Sequence, residues 1–216
     1  MEINRFPFIV IEGCDQTGKS TLQQTLTSAI YHSHDILMER LSFSDSSTSI
    51  GQLLQLYLGK KMDLDEYVAH HLFSANRWES FEFILNTLPN TPILCDRYVA
   101  SGRAYTTAQG NISLNWCRQL DVGLPKPDLT IYLENSSFQS PQDPSYEESR
   151  FDVPLVQQQI KAAFERNRGI DDEKWILIQT DELTPQMVLD QAKLHVDKLL
   201  ELFKDQNFPI YHYSLQ

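Results

Sequence analysis

Residues 7–20 read Pro7-Phe8-Ile9-Val10-Ile11-Glu12-Gly13-Cys14-Asp15-Gln16-Thr17-Gly18-Lys19-Ser20. An apolar run ends at a glycine, and G-x-x-x-x-G-K-S follows over 13–20. Residues 7–12 have the character of a short buried strand. Residues 19–31 carry Leu22, Leu26, Ala29 and Ile30 at i, i+4, i+7 and i+8, one face of a helix. The motif thus lies between a strand and a helix, the context it requires. Gly13 and Gly18 let the backbone close around an anion without side-chain clash. The N–H groups of Cys14 through Thr21 then turn inward, and the helix adds its positive end. Lys19 is the residue type that reaches β- and γ-phosphates, and Ser20 the type that ligates Mg²⁺ beside them. Gly13, Gln16, Thr17, Gly18, Lys19, Ser20 and Thr21 are therefore the expected nucleoside triphosphate-binding residues (ATP in a kinase), with Mg²⁺ as cofactor, and the motif alone does not separate kinase, GTPase and motor ATPase. Cys14 occupies a free position of the pattern and reads as a small filler.

The remaining chain alternates strand-like and helix-like segments, the pattern of a parallel α/β sheet. Strands are expected at 36–43, at Ile93-Leu94-Cys95 ending on Asp96, at Leu129–Leu133 and at Trp175–Ile178. Helices are expected at 50–58, at 64–88 behind an Asp63/Glu66 capping box, and over 99–121 with a break near Gly110. Two more are expected at 152–167 and 185–203, the last with a Val188, Ala192, Val196, Leu199, Leu200 and Phe203 stripe. The polar, Pro-containing segment 134–150 is expected to form a flexible surface loop. Residues 204–216 carry no readable pattern. The expectation is one domain over 1–216 of the P-loop NTPase class: five parallel strands with helices on both faces.

Composition narrows the function. Lys and Arg number 18 against 29 Asp and Glu, a net charge of -11, so counterion release on nucleic acid would contribute little. No apolar run is long enough to cross a membrane. Met1-Glu2-Ile3-Asn4-Arg5 holds an acid and no apolar stretch, so secretion is not expected. Three cysteines, odd in number and far apart, suit a reducing compartment and no zinc pattern. A cytoplasmic protein is expected, with presence in the nucleus left open.

Asp96-Arg97-Tyr98 follows the third apolar run. An acid there can hold the metal's water shell beside Ser20, and Arg97 would face the anionic crevice at the sheet's carboxyl end. Metal contacts are therefore assigned to Ser20 and Asp96.

With those residues named, the chain resembles the thymidylate (dTMP) kinases, a branch of the nucleoside monophosphate kinases. The likeness rests on IEGCDQTGKST at 11–21, LFSANRWE at 72–79, DRYVASGRAY at 96–105, SLNWCRQLDVGLPKPDLTIYL at 113–133 and SRFD at 149–152. It implies transfer of the γ-phosphate of ATP to dTMP, and a homodimer. It also implies roles. Phe73 stacks on the base and Arg77 bonds its edge. Tyr105 packs on the sugar, Arg97 binds the acceptor phosphate, and Asp15 lies near the sugar 3′-hydroxyl. Phe43 and Gly102 complete the acceptor site, and Arg150 swings in over ATP with a lid formed by about 134–152. Lys19, Asp15, Arg97 and Arg150 form the catalytic set. Trp78, Phe81, Trp116, Leu124 and Pro127 read as packing.

The chain also departs from the family pattern. Eukaryotic-type members carry Arg where this chain has Gln16, and F-P-x-R-S-T where it has Phe43-Ser44-Asp45-Ser46-Ser47-Thr48. Bacterial-type members lack the first Arg but place extra basic residues in the lid, where this chain offers only Arg150. Phe151 stands where Tyr is usual. Arg103, where a small apolar residue is usual, is expected to supply the missing charge. A weakened nucleotide-binding homologue acting as a scaffold, or a kinase for another deoxynucleotide, stays open at this point.

Overall fold

The computed structural model describes residues 4–108, 110–136, 149–171, 173–204 and 206–215. Most of the expected lid loop lies outside the described residues. Five parallel strands run in the order β2-β3-β1-β4-β5. They are β1 (Phe8–Gly13), β2 (Glu39–Ser42), β3 (Ile93–Asp96), β4 (Leu129–Glu134) and β5 (Trp175–Gln179). The central strand β1 pairs Ile9 with Leu94 and with Leu129 in its two neighbours.

The period of two along β1 divides the core. Ile9 and Ile11 face a cluster with Leu22, Leu26 and Ile30 of α1 (Lys19–His34) and the stripe of α8 (Pro185–Lys204). All six expected stripe residues of α8 are buried. Phe8 and Val10 face the other side, with Ile93, Cys95, Tyr98 and Leu124. On that side α5 (Val99–Thr107) packs on α7 (Pro154–Asn167) through Ala100, Ala104 and Ala163, small residues that let the axes approach. Both faces are covered, which is why the central strands read as unbroken apolar runs.

Four expectations need correction. The strand expected at 36–43 is paired only over 39–42, because its single neighbour β3 is four residues long. The helix expected over 64–88 is two: α3 (Glu66–Glu79) and α4 (Phe81–Thr87), turned at Ser80. The turn lets α3 aim Arg77 at a cavity while Ile84 and Leu88 pack on the sheet. The cap of α3 is Asp65, which accepts from Tyr67 N–H at 2.9 Å, and not Asp63. As expected, the helical stretch after β3 breaks near Gly110, which has φ 80, between α5 and α6 (Leu114–Leu120). The helix after β2, α2 (Ser49–Leu58), is capped by Thr48 and stops at Gly59 as expected. Trp78 was expected in the core, but it is 37% exposed.

Candidate active site

The parallel sheet brings the ends of β1, β2 and β3 to one edge. The turn after β1 is the phosphate cradle. Gly13 (φ 151) and Gly18 (φ 89) take conformations that L side chains rarely adopt, and a Cβ on Gly13 would fall 2.8 Å from Thr17 Oγ1. Gln16 is also left-handed at φ 63. Thr17 Oγ1 donates to Cys14 O at 3.1 Å, and Lys19 Nζ donates to the same carbonyl. Gln16, Gly18, Ser20 and Thr21 are exposed, while Lys19 is buried within the turn. Burial, then the nearby Arg97, pulls the Lys19 ammonium down to about 8. Burial pushes the Cys14 thiol up to about 11, so it is not a reactive thiolate and fits the filler reading.

Ser20 Oγ donates to Asp96 Oδ2 at 2.6 Å. The other oxygen, Asp96 Oδ1, is buried without a hydrogen-bond partner. A hard-oxygen pair with one orphaned carboxylate oxygen, opening on the phosphate cradle, fits Mg²⁺, which keeps several waters and few protein ligands.

Arg97 joins the cradle to the next strand. Its backbone is left-handed at φ 66, a strained conformation of the kind held at functional sites. Its N–H donates to Ile11 O at 2.9 Å. Nη1 donates to Gly13 O at 3.1 Å and to Tyr105 Oη at 3.1 Å, and Nη2 pairs with Asp15. Burial pulls the guanidinium down, but Tyr105, Asp15 and Asp96 outweigh it and hold it above its ordinary value. Burial pushes the Asp15 carboxyl up, yet Arg97 and Lys19 prevail and hold it below the usual range.

Beyond this pair opens a cavity of about 340 Å³. Phe43, Phe73, Arg77, Arg97, Gly102 and Tyr105 all line it, together with Asp15, Ser20 and Asp96. The expected acceptor residues are thus brought together beside the donor cradle. Phe73, which lines the cavity, meets the Tyr57 ring in a T-shaped contact at 6.4 Å. Arg77 is 2% exposed; its Nε and Nη2 donate to Asp121 Oδ1 at 3.2 and 2.8 Å. Gly102 gives Arg77 its room, since a Cβ there would fall 2.6 Å from Nη1.

Two expected residues stand elsewhere. Arg103 does not reach the crevice. It pairs with Asp171 and stacks 4.8 Å over the Tyr213 ring, on the opposite side of α5 from Ser101 and Tyr105. Arg150 does not face the cradle. Ser149 and Phe151 line the cavity, whereas Arg150 between them does not. Its guanidinium lies 4.4 Å over Tyr57, donates to Tyr57 O and Met62 O at 3.0 Å each, and pairs with Asp63.

Other residues of the site carry no mark in the sequence reading. Glu12, wholly buried, accepts from the N–H groups of Tyr98 and Ser101 and so holds the start of α5. Burial raises its carboxyl against those bonds. An acid at the end of an otherwise apolar strand was the available signal. Gln157 of α7 donates to Asp15 Oδ2 at 2.6 Å and accepts from Asp15 N–H at 3.1 Å. Asn76 fastens the loop after β2, accepting from Asp45 N–H at 2.7 Å and donating to Thr48 Oγ1 at 2.9 Å.

The family model described as thymidylate kinase matches residues 11–190. The chain belongs to the thymidylate kinase family. It is 39% identical over 180 residues to the thymidylate kinase of Dictyostelium discoideum, covering 83% of this chain and 80% of that one. It is 34% identical over 207 residues to that of Danio rerio, covering 95% and 97%. The solved thymidylate kinase of Candida albicans superposes with a TM-score of 0.85 at 28% identity, covering 97% of this chain and 99% of that one.

Proposed function

We propose that the protein transfers the γ-phosphoryl group of ATP to dTMP, giving ADP and dTDP. The observation that carries this reading is the Asp15–Arg97 pair, which is at once part of the cradle and part of the acceptor cavity wall. A triphosphate in the cradle and a monophosphate against Arg97 meet end to end across it, the geometry that in-line transfer needs. Lys19 neutralises the transferring phosphates. Arg97 holds the acceptor phosphate oxygen in line, already oriented by Gly13 O, Ser101 and Tyr105. Phe73 stacks on the base, and Arg77, fixed by Asp121, donates to its edge. Asp15, held from behind by Gln157, faces the sugar 3′-hydroxyl, and Tyr105 fills the space a 2′-hydroxyl would need. Ser20 and Asp96 would hold Mg²⁺, which when bound spreads the charge on the β- and γ-phosphates.

With Lys19, Ser20, Asp96, Asp15 and Arg97 all in place, the scaffold alternative is not favoured. A coupled ADP-release assay over dTMP, dUMP, dGMP, dCMP and thymidine tests the reading. Turnover with dTMP foremost supports it, and binding of ATP and dTMP without turnover overturns it.

Two accompanying readings are finer. No helix among the described residues is long and apolar enough to cross a membrane, and Cys14, Cys95 and Cys117 are free and buried, which suits a reducing cytoplasm. Leu53 and Leu56 of α2 and Tyr67 and Val68 of α3 are each more than 40% exposed, apolar surface that a homodimer would cover.

A further inference from the structure

The C-terminal segment, patternless in sequence, docks behind the acceptor cavity. His212 forms an antiparallel bridge with Pro125. Gly123 N–H donates to Tyr213 O at 3.0 Å, Tyr213 N–H to Leu124 O at 2.9 Å, and Lys126 N–H to Tyr211 O at 2.7 Å. The segment is held from the other side by Arg5, whose Nη2 donates to Pro209 O at 2.7 Å. Tyr213 is 3% exposed. Its hydroxyl donates to Glu173, and the Arg103 guanidinium covers its ring.

Two paths lead from Tyr213 to the acceptor cavity. In the first, its ring lies 6.5 Å from Tyr98, which lines the cavity and packs 5.6 Å from Phe43. The second runs through the backbone. The 121–126 turn that the tail pins begins at Asp121, which is wholly buried and fixes the Arg77 guanidinium. Asp121 also accepts from Ser74 Oγ at 2.9 Å, so turn and helix α3 move as one. Gly123 in the same turn (φ 100) lies under the indole of Trp78, the neighbour of Arg77. None of these contacts involves residues 13–21. The tail therefore bears on the acceptor half of the site and not on the donor half.

We propose that Tyr213 is a positioning residue for the acceptor: by pinning the 121–126 turn and backing Tyr98, it holds Arg77 and the cavity wall in register without touching either nucleotide. This rests on the acceptor reading given above. A displacement of about 1 Å in such a support can cost up to about 10²-fold, so a partial loosening is expected to show as a five- to tenfold effect on the acceptor alone.

The test uses the full chain in steady-state kinetics with ATP and dTMP varied separately. Tyr213→Ala is expected to raise the dTMP KM about tenfold and to leave the ATP KM within about twofold. Amide exchange measured by mass spectrometry should accelerate across 120–127, where the donors to Tyr213 and Tyr211 lie, and stay unchanged across 13–21. Tyr213→Phe, which keeps the ring, should restore the wild-type dTMP KM. Should Tyr213→Ala fail to fold, Tyr213→Leu keeps part of the apolar volume but not the ring that backs Tyr98, and is expected to show the same acceptor-only shift. The proposal is overturned by an unchanged dTMP KM in a folded Tyr213→Ala or Tyr213→Leu protein, or by equal rises in both KM values. A wild-type chain that does not phosphorylate dTMP overturns the acceptor reading itself, a result told apart from the first because it needs no variant.

Discussion

Gly102 leaves the space that the guanidinium of Arg77 occupies: a Cβ at position 102 would lie 2.6 Å from Nη1, 2.9 Å from Nη2 and 3.0 Å from Cζ. Arg77 cannot simply give way, because Asp121 Oδ1 holds it from the other side and both are buried. Gly102→Ala is therefore expected to shift Arg77 out of line with the base edge. The dTMP KM should rise at least about tenfold while the ATP KM holds, since the cradle is untouched. Isothermal titration with each nucleotide checks this. Equal affinity of the Gly102→Ala protein for dTMP would show that Arg77 does not read the base.

The Arg77–Gly102 contact also marks how far sequence reasoning reaches. The strand–turn–helix around 13–20 and the apolar runs of β3 and β4 were legible, because strands buried on both faces must be continuously apolar. The Ser80 turn was not, since no Gly or Pro stands there and only the competing demands of the cavity and the sheet bend the chain. Arg103 was misplaced for a reason the periodicity does contain. It lies two residues from both Ser101 and Tyr105, about 200° around the helix from the face they share. Gln157 and Tyr213 could not be found from sequence, because each acts through partners far away in the chain, Gln157 on Asp15 and Tyr213 beside Tyr98 and Arg103.

Lys19 sets a pH limit on donor capture. In the ligand-free protein its ammonium loses a proton near pH 8, and only the charged form neutralises phosphate. The sign follows: kcat/KM for ATP is level on the acid side and falls as pH rises through about 8. At saturating ATP the bound phosphates favour the charged form, so kcat holds to higher pH than kcat/KM does. The two profiles measured side by side check this. A kcat/KM for ATP that stays level to about pH 9 would mean that Lys19 keeps its proton despite burial.

The Ser20–Asp96 pair predicts a graded metal dependence. Chelation of Mg²⁺ should abolish turnover, because the metal supplies charge between the phosphates that Lys19 and Arg97 alone do not. Ser20→Ala removes one hard oxygen and leaves Asp96, so the Mg²⁺ needed for half-maximal rate should rise while added Mg²⁺ recovers most of the activity. Asp96→Asn keeps the shape but loses the charge, and kcat should fall by about 10²-fold or more even at saturating Mg²⁺. A Mg²⁺ titration of the three proteins separates these outcomes, and identical curves would remove the pair from the metal site.

Arg77 and Arg97 are the guanidinium groups lining the cavity among the described residues, and Arg77 is committed to Asp121. The acceptor phosphate therefore meets one cation, where relatives with Arg at the positions of Gln16 and Ser46 would present more. The Gln16 and Ser46 side chains are exposed, so a longer side chain has room. Gln16 already holds a left-handed backbone at φ 63, a cost that Arg would share and not add to. An Arg at a phosphoryl-transfer site is worth up to about 10³–10⁵ in rate when placed ideally, and a fraction of that is expected here. Gln16→Arg should raise the single-turnover rate about tenfold or more, and Ser46→Arg should chiefly lower the dTMP KM. Arg103 offers no substitute, since Asp171 and Tyr213 already engage it on the far side of α5. Rapid-quench measurement of dTDP formation decides the matter. Unchanged rates and KM values in both variants would mean that Arg97 and Lys19, with the metal, already neutralise the transferring group in full.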